Sequence, residues 1–198
     1  MSKEFEAVGF FISDHPLNQF TEIFDDYKII DYSNFSNNDI KESNIAATLL
    51  KLQERKTAKG NSYAVLKLTD LSSVFELFIF SDTLEANREL LIEGNSLILT
   101  LIKNVSNDEN RFKRVNVQKI ASLKDLFNSP INEVSFDVKT DDQVAEISKI
   151  LKEDGKTIIN INLLSDNRSL RFRLKNLRNL DRKSLNLLRN KEILATIN

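Results

Sequence analysis

Between residues 45 and 122 apolar side chains recur at every second position in stretch after stretch, and this period-two pattern is what most limits the fold. Residues 44–57 are long enough for one bent strand. Residues 62–69 set Ala64, Leu66 and Leu68 on one face and Tyr63, Val65 and Lys67 on the other. Residues 74–80 form a strongly apolar strand with Phe75, Phe78 and Phe80, and residues 96–103 and 112–121 supply two more. Between the first two strands, Thr57-Ala58-Lys59-Gly60-Asn61 reads as a turn whose glycine sits where positive φ costs least. One interruption has helical spacing: Asp82 followed by Glu85 predicts a capping box opening a helix with Leu84, Leu91 and Ile92 that ends before Gly94.

Three strands, a helix and two strands is the order of the five-stranded OB-fold β barrel, expected over 44–122. Residues 1–43 read as a lead-in: a short amphipathic start (Phe5, Val8, Phe11 or Ile12) stopped before Pro16, a short helical stretch over 16–24, and a connector rich in Asp, Asn and Ser over 25–43. Residues 123–198 read as a small α+β domain. Val134, Phe136 and Val138 alternate; Thr140 with Gln143 predicts a capping box for a helix bearing Val144, Ile147 and Leu151, stopped by Gly155. A hairpin follows in which Ile159, Ile161 and Leu163 alternate, then Leu170, Phe172 and Leu174 alternate with Arg171, Arg173 and Lys175, giving a basic outer face. A helix over 181–189, with Leu185 and Leu188 inward, and a last strand over 193–197 complete a βαββαβ-like order that resembles a split βαβ sandwich.

Composition removes much chemistry. With 198 residues, no Cys and one His, disulfides, Cys/His zinc sites, iron–sulfur clusters and Cys/His nucleophilic pairs are excluded. The one histidine, His15, stands beside Pro16 and reads as a polar residue closing a turn. No phosphate-cradling glycine pattern or hydrolase motif occurs, and the acidic pairs sit in expected loops or helix ends, so no catalytic residue, metal or cofactor is expected. No long apolar run or signal-type start appears, and the expected setting is the cytoplasm. The net charge of −1 conceals an uneven distribution: −6 over residues 1–40, +2 over 41–121 and +3 over 122–198, with nine Lys/Arg against Asp181 alone between residues 168 and 191.

An OB barrel binds oligonucleotides across strands two and three, aided by the loops joining strands one to two and four to five. Arg55, Lys56, Lys59 and Asn61 fall at the first loop, Tyr63 and Lys67 on strand two, and Arg111 and Lys113 beside the second loop. These are the candidate nucleic-acid contacts, with Tyr63 the named stacking residue. On strand three the pattern admits either set, Phe75, Leu77 and Ile79 or Val74, Glu76, Phe78 and Phe80, as the interior. The basic run holding Arg171, Arg173 and Lys175 reads as a solvated face, a docking surface for an acidic partner, or an auxiliary nucleic-acid contact.

The stretch Glu6-Ala7-Val8-Gly9-Phe10-Phe11-Ile12-Ser13-Asp14-His15-Pro16-Leu17 resembles the E-x-x-G-x-Y-x-S-x-H-P-L segment that precedes the OB domain of the bacterial replicative DNA polymerase III alpha subunit. Thr57-Ala58-Lys59-Gly60-Asn61-Ser62-Tyr63-Ala64, Leu68-Thr69-Asp70 and Glu76-Leu77-Phe78-Ile79-Phe80 are similar to that family's following motifs. Ser73 departs from the glycine usual before strand three, and residues 106–110 lack the family's frequent glycines. The resemblance implies a C-terminal portion of a larger polymerase whose catalytic aspartates lie elsewhere. It implies an OB domain on single-stranded template and a terminal domain that binds the tau subunit of the clamp loader, alongside the rest of the alpha chain, with no membrane. Two other readings stand: a protein-interaction module with a purely structural barrel, and a tRNA anticodon-binding domain.

Overall fold

The computed structural model describes residues 14–58, 60–104, 114–165 and 168–198. The chain divides between Asn128 and Ser129 into two compact units. In chain order the first contains a 3-10 segment (Asn18–Ile23), α1 (Tyr32–Asn37), β1 (Glu42–Lys56), β2 (Ser62–Thr69), β3 (Val74–Phe80), α2 (Ser81–Ala86), β4 (Ser96–Asn104), β5 (Arg114–Ser122) and α3 (Leu123–Asn128). Its strands form one antiparallel sheet in the order β3-β2-β1-β4-β5. The three-strand, helix, two-strand order matches the sequence reading. Closure does not: among the described residues no ladder joins β3 to β5, although Cα atoms of these two edge strands come within 8 Å of each other.

The inner face of this sheet forms a continuous core, with Ile45, Ala47 and Leu49 from β1, Ala64, Leu66 and Leu68 from β2, and Phe75, Leu77 and Ile79 from β3. A β-bulge in β1 then changes which residues face inward. The pairing with β2 shifts register between Leu49 and Lys51, after which Leu52 stands opposite Leu66, while Lys51, Gln53 and Arg55 stand opposite Lys67, Val65 and Tyr63 on the outer face. The connection between α2 and β4 holds this irregularity. Gly94, at φ +92°, donates its N–H to Leu49 O at 2.7 Å, and Glu93 accepts the Leu52 N–H at 3.1 Å. The Leu49 carbonyl and the Leu52 N–H, which flank the bulge, are thereby satisfied.

The lead-in is more than a connector. Asp31 caps α1 by accepting the Asn34 N–H at 2.7 Å; Phe35 is fully buried in the sheet core, and Tyr32 stacks on Phe75 with centroids 3.9 Å apart. Lys103 is buried beneath the end of α1 and donates to the carbonyls of Phe35, Ser36 and Asn38, with its ammonium 4.7 Å from the Phe35 ring centroid. A cation at the last carbonyls of a helix satisfies groups that have no intrahelical donor. On the other side of the sheet, Leu17, Phe20 and Ile23 of the lead-in and Leu123 of α3 cover Ala46 and Ile98. Helix α3, not anticipated from the sequence, therefore packs into the first unit. The capping box expected at Asp82 and Glu85 does not form: α2 starts two residues earlier with Phe80 as its N-cap, Glu85 pairs with Arg88, and Ile92 is exposed.

The second unit contains β6 (Glu133–Val138), α4 (Asp141–Ile150), β7 (Lys152–Ser165), β8 (Arg168–Arg173), β9 (Arg178–Asn179), α5 (Arg182–Arg189) and β10 (Leu194–Ile197). The sheet order is β10-β6-β7-β8, with β6 and β7 parallel and β9 paired to β7. The βαββαβ-like element order is present, with β9 as an added short strand. The pairing is not that of a split βαβ unit, because β6 and β7 are direct neighbours. Thr140 and Gln143 form the expected reciprocal capping box, and Asp181 caps α5, where hydrogen bonds from Ser184 hold its carboxyl below the usual range. Leu185, Leu188 and Ile147 pack on Val134, Phe136 and Ile159. Val144 instead faces outward, and Gly155 lies inside β7 rather than at the end of a helix.

Candidate nucleic-acid interface

The lead-in and α3 cover the sheet over β4 and the first half of β1, leaving another part of the outer face open past the bulge, across β1, β2 and β3. The register there sets side chains in cross-strand rows. Arg55, Tyr63 and Phe80 form the first; Gln53, Val65 and Phe78 the second; Lys51, Lys67 and Glu76 the third. Phe78 and Phe80 are 53% and 48% exposed, while Phe75, Leu77 and Ile79 of the same strand are buried. The orientation left open by the sequence is thus decided in favour of an interior Phe75 set. A groove of about 820 Å³ is lined by residues of these rows, Tyr63, Glu76, Phe78 and Phe80, together with Tyr32, Lys56 and Val115.

The predicted residues assemble unevenly. Arg55 and Lys56 are exposed at the end of β1, and Arg55 donates to Gln53 at 2.8 Å. Asn61 is exposed in the β1–β2 turn, where Thr57 N–H donates to its carbonyl at 2.8 Å and Gly60 takes the expected positive φ of +83°. Tyr63 is half-buried beside Arg55, and Lys67 is exposed two rows away, between Lys51 and Glu76. Lys59, Arg111 and Lys113 lie outside the described residues. Arg55, Lys56, Asn61 and Tyr63 are therefore gathered at one end of the face. Glu76 offsets part of the charge of Lys67.

Sequence reasoning missed Lys51, Phe78 and Phe80. The bulge hid Lys51, because unbroken alternation from Ile45 through Leu49 would turn it inward. A signal for the two phenylalanines was present: Glu76 shares their parity, and a carboxylate in the middle of a strand marks its set as the outward one.

His15 serves the turn, as read from the sequence. Its Nδ1 accepts the Leu17 N–H at 3.2 Å and its Nε2 lies 3.5 Å from Thr69 Oγ1; burial lowers its pKa, with Asp70 and Asp14 pulling the other way. Asp70 also organises the β2–β3 turn, accepting the N–H groups of Ser72 and Ser73 at 2.8 and 2.7 Å through one oxygen and that of Tyr32 through the other. Ser73 does not adopt positive φ, so the turn does not require glycine there. Among the described residues, no group of three or more His, Cys, Asp or Glu could hold a metal ion, and no helix is long and apolar enough to cross a membrane.

In the second unit Arg171, Arg173 and Lys175 are exposed, the first two on the sheet face opposite the helices. That face is mixed in charge, not basic. Glu133 lies 3.7 Å from Arg173 and accepts from Asn160 at 2.7 Å, and Asp137 accepts from Asn162 at 2.7 Å. Leu170 and Phe172, expected inward, are 56% and 46% exposed because β8 is an edge strand beyond the cover of the helices.

No protein-family model matches the chain. It is similar to DNA polymerase III subunit alpha of Rickettsia conorii, with 30% identity over 151 residues, 75% of this chain and 12% of that protein. The Rickettsia bellii protein of the same name is 29% identical over 169 residues, 81% of this chain and 14% of its own length. The Borreliella burgdorferi protein is 22% identical over 135 residues. The chain spans about an eighth of the length of the curated relatives it matches. Read together with the strand order and the motifs between Thr57 and Phe80, the matches make this chain a relative of the bacterial DNA polymerase III alpha subunit, corresponding to one segment of it.

Proposed function

We propose that this chain is a noncatalytic, C-terminal module of a replicative DNA polymerase III alpha subunit, with an OB-type first unit that holds single-stranded DNA and a second unit that docks the tau subunit of the clamp loader. The carrying observation is the uncovered outer face of β1–β2–β3, where Lys51, Arg55, Lys56 and Lys67 accompany exposed aromatic rings. The antiparallel strand order, and the approach of β3 to β5, support the OB assignment. In this role the module positions template and adds no group to nucleotidyl transfer; the polymerase chemistry belongs to other segments of the subunit. Docking rests on the exposed cations Arg171, Arg173 and Lys175 at and beside the free edge of the second sheet.

Salt dependence tests the DNA role. Neutralising about four phosphates gives a log–log slope near −3 for a single strand, or roughly 50-fold weaker binding at 200 mM than at 50 mM salt. Replacing Arg55 and Lys56 with Ala is expected to weaken binding to every sequence and flatten that slope. A salt-independent affinity, or unaltered binding by the double variant, overturns this face as the DNA site.

A further inference from the structure

Resting on the docking reading of the second unit, we infer that the open edge of β8 takes its partner as an added β-strand, an extended peptide in which acidic residues alternate with apolar ones. Strand β8 ends its sheet: among the described residues it pairs with β7, and no strand pairs with it on the other side. Leu174 donates its N–H to the Ile159 carbonyl at 2.9 Å, and inward and outward backbone groups alternate along an antiparallel strand. Leu170 and Phe172 therefore turn their N–H and C=O toward β7, while Ser169, Arg171 and Arg173 turn theirs to the free edge. From Ser169 to Arg173 that edge runs about 17 Å.

The side chains of β8 are sorted by face. Arg171 and Arg173 stand opposite Asn162 and Asn160 of β7 on the face away from the helices, and Leu170 and Phe172 stand exposed on the helix face. Glu133 lies 3.7 Å from Arg173 and offsets part of its charge, yet the Arg173 side chain stays 59% exposed. A strand laid along β8 sets its own side chains over the same two faces, so carboxylates match Arg171 and Arg173 and apolar groups cover Leu170 and Phe172. Backbone pairing supplies affinity, and the alternation supplies selectivity. The charge pattern also excludes a second copy of this chain as the occupant. Residues 168–175 carry Arg168, Arg171, Arg173 and Lys175 and no acid. Two such edges paired together would set Arg171 and Arg173 against like charges. Cations on an edge strand are an ordinary guard against such self-pairing, but a guard alone gives no reason for Leu170 and Phe172 to stay open on the other face.

The test uses the full chain in anisotropy titrations against labelled, capped peptides: an alternating Glu-Val-Glu-Leu-Glu-Val-Glu, and a clustered peptide of the same composition with its glutamates in one block. Two further versions of the alternating peptide carry N-methyl groups, one on every glutamate nitrogen and the other on every apolar nitrogen. The alternating peptide is expected to bind more tightly than the clustered one by about tenfold or more. Only every second amide of an added strand faces β8, so one methylated version is expected to lose that advantage and the other to keep it, and the sensitive set gives the direction of the added strand. Ser169→Pro removes an outward donor without touching the β7 ladder or the charge, and is expected to weaken the alternating peptide by about 2- to 12-fold while leaving the clustered one unchanged. Equal binding of the alternating and clustered peptides, an equal response to the two methylation patterns, or full affinity in Ser169→Pro overturns strand addition and leaves docking by charge standing. Failure of both peptides to bind overturns strand addition as well; the rate of tau association with Arg171→Glu then decides the docking reading by itself, a slowed rate keeping it and an unaltered rate removing it.

Discussion

A Cβ added at Gly155 would lie 1.9 Å from the backbone carbonyl carbon of Arg178 and 2.0 Å from both its oxygen and the Asn179 nitrogen. The short strand β9 crosses β7 at that point, and only a residue without a side chain lets the two backbones meet. Gly155→Ala is therefore expected to destabilise the second unit by about 3 kcal/mol or more, since the obstruction is backbone and not a movable side chain. Urea unfolding followed by far-UV circular dichroism checks this, and a loss below about 1 kcal/mol contradicts it. Gly60 is the contrasting case: a Cβ there meets nothing within 4 Å, and the requirement is its φ of +83°. Local sequence reveals the second kind of glycine, because a turn between two alternating stretches announces itself. It does not reveal the first, because the constraint on Gly155 comes from a segment more than twenty residues later, and a glycine after a helical stretch reads equally well as its stop. Phe78 and Phe80 lay between these extremes. Their facing was encoded beside them in Glu76, yet the apolar character of the whole strand masked it.

Elements with their own termination chemistry were the most legible. The capping box at Thr140 and Gln143 forms as the local sequence predicts, whereas the similar pattern at Asp82 and Glu85 does not, because Glu85 is drawn to Arg88, which also binds Glu54 at 2.7 Å. Helix α1 was concealed for the opposite reason: six residues of Tyr, Ser, Asn and Phe have weak helical preference, and burial of Phe35 with the Lys103 cap supplies what propensity does not. Across the second unit, Glu146 of α4 binds Lys149 at 2.8 Å and also Lys191, just beyond α5. Hydrogen bonds from Lys149 and then Lys191 lower the Glu146 carboxyl from 4.5 to about 2. A carboxylate depressed in the folded state adds stability above its unfolded pKa, and that contribution disappears as pH falls from about 4.5 toward 2. Glu146→Gln should therefore cost stability at neutral pH, reduce the dependence of the urea midpoint on pH within that window, and converge with the unaltered protein at its acid end. Parallel curves for the two proteins count against the link.

At the scale of the whole molecule, the order of strands along the chain was legible except for the short β9, since period and turn chemistry are local. Pairing was less so. Whether β3 and β5 join, and whether a strand separates β6 from β7, depends on contacts that no short window contains. The two cores share no residue, and all three tyrosines, Tyr27, Tyr32 and Tyr63, lie in the first unit of a chain without tryptophan. Tyrosine fluorescence thus reports the first unit by itself. Reversing charge at Arg171 and Arg173 is expected to slow association with tau by about tenfold or more, with the second unit's unfolding midpoint, followed by far-UV circular dichroism after the tyrosine-reported transition of the first unit is accounted for, staying in place. An unaltered association rate moves the proposed docking surface elsewhere. The irregularity near Leu50 has a reach beyond its own hydrogen bonds. In an unbroken β1 the solvent side of its second half would be Leu52 and Glu54, with Lys51 and Arg55 turned toward the core. The step out of alternation at Leu50 thereby chooses whether this surface repels a polyanion or attracts one, whereas deleting Leu50 would remove the extra residue and keep Lys51, Gln53 and Arg55 on the solvent side.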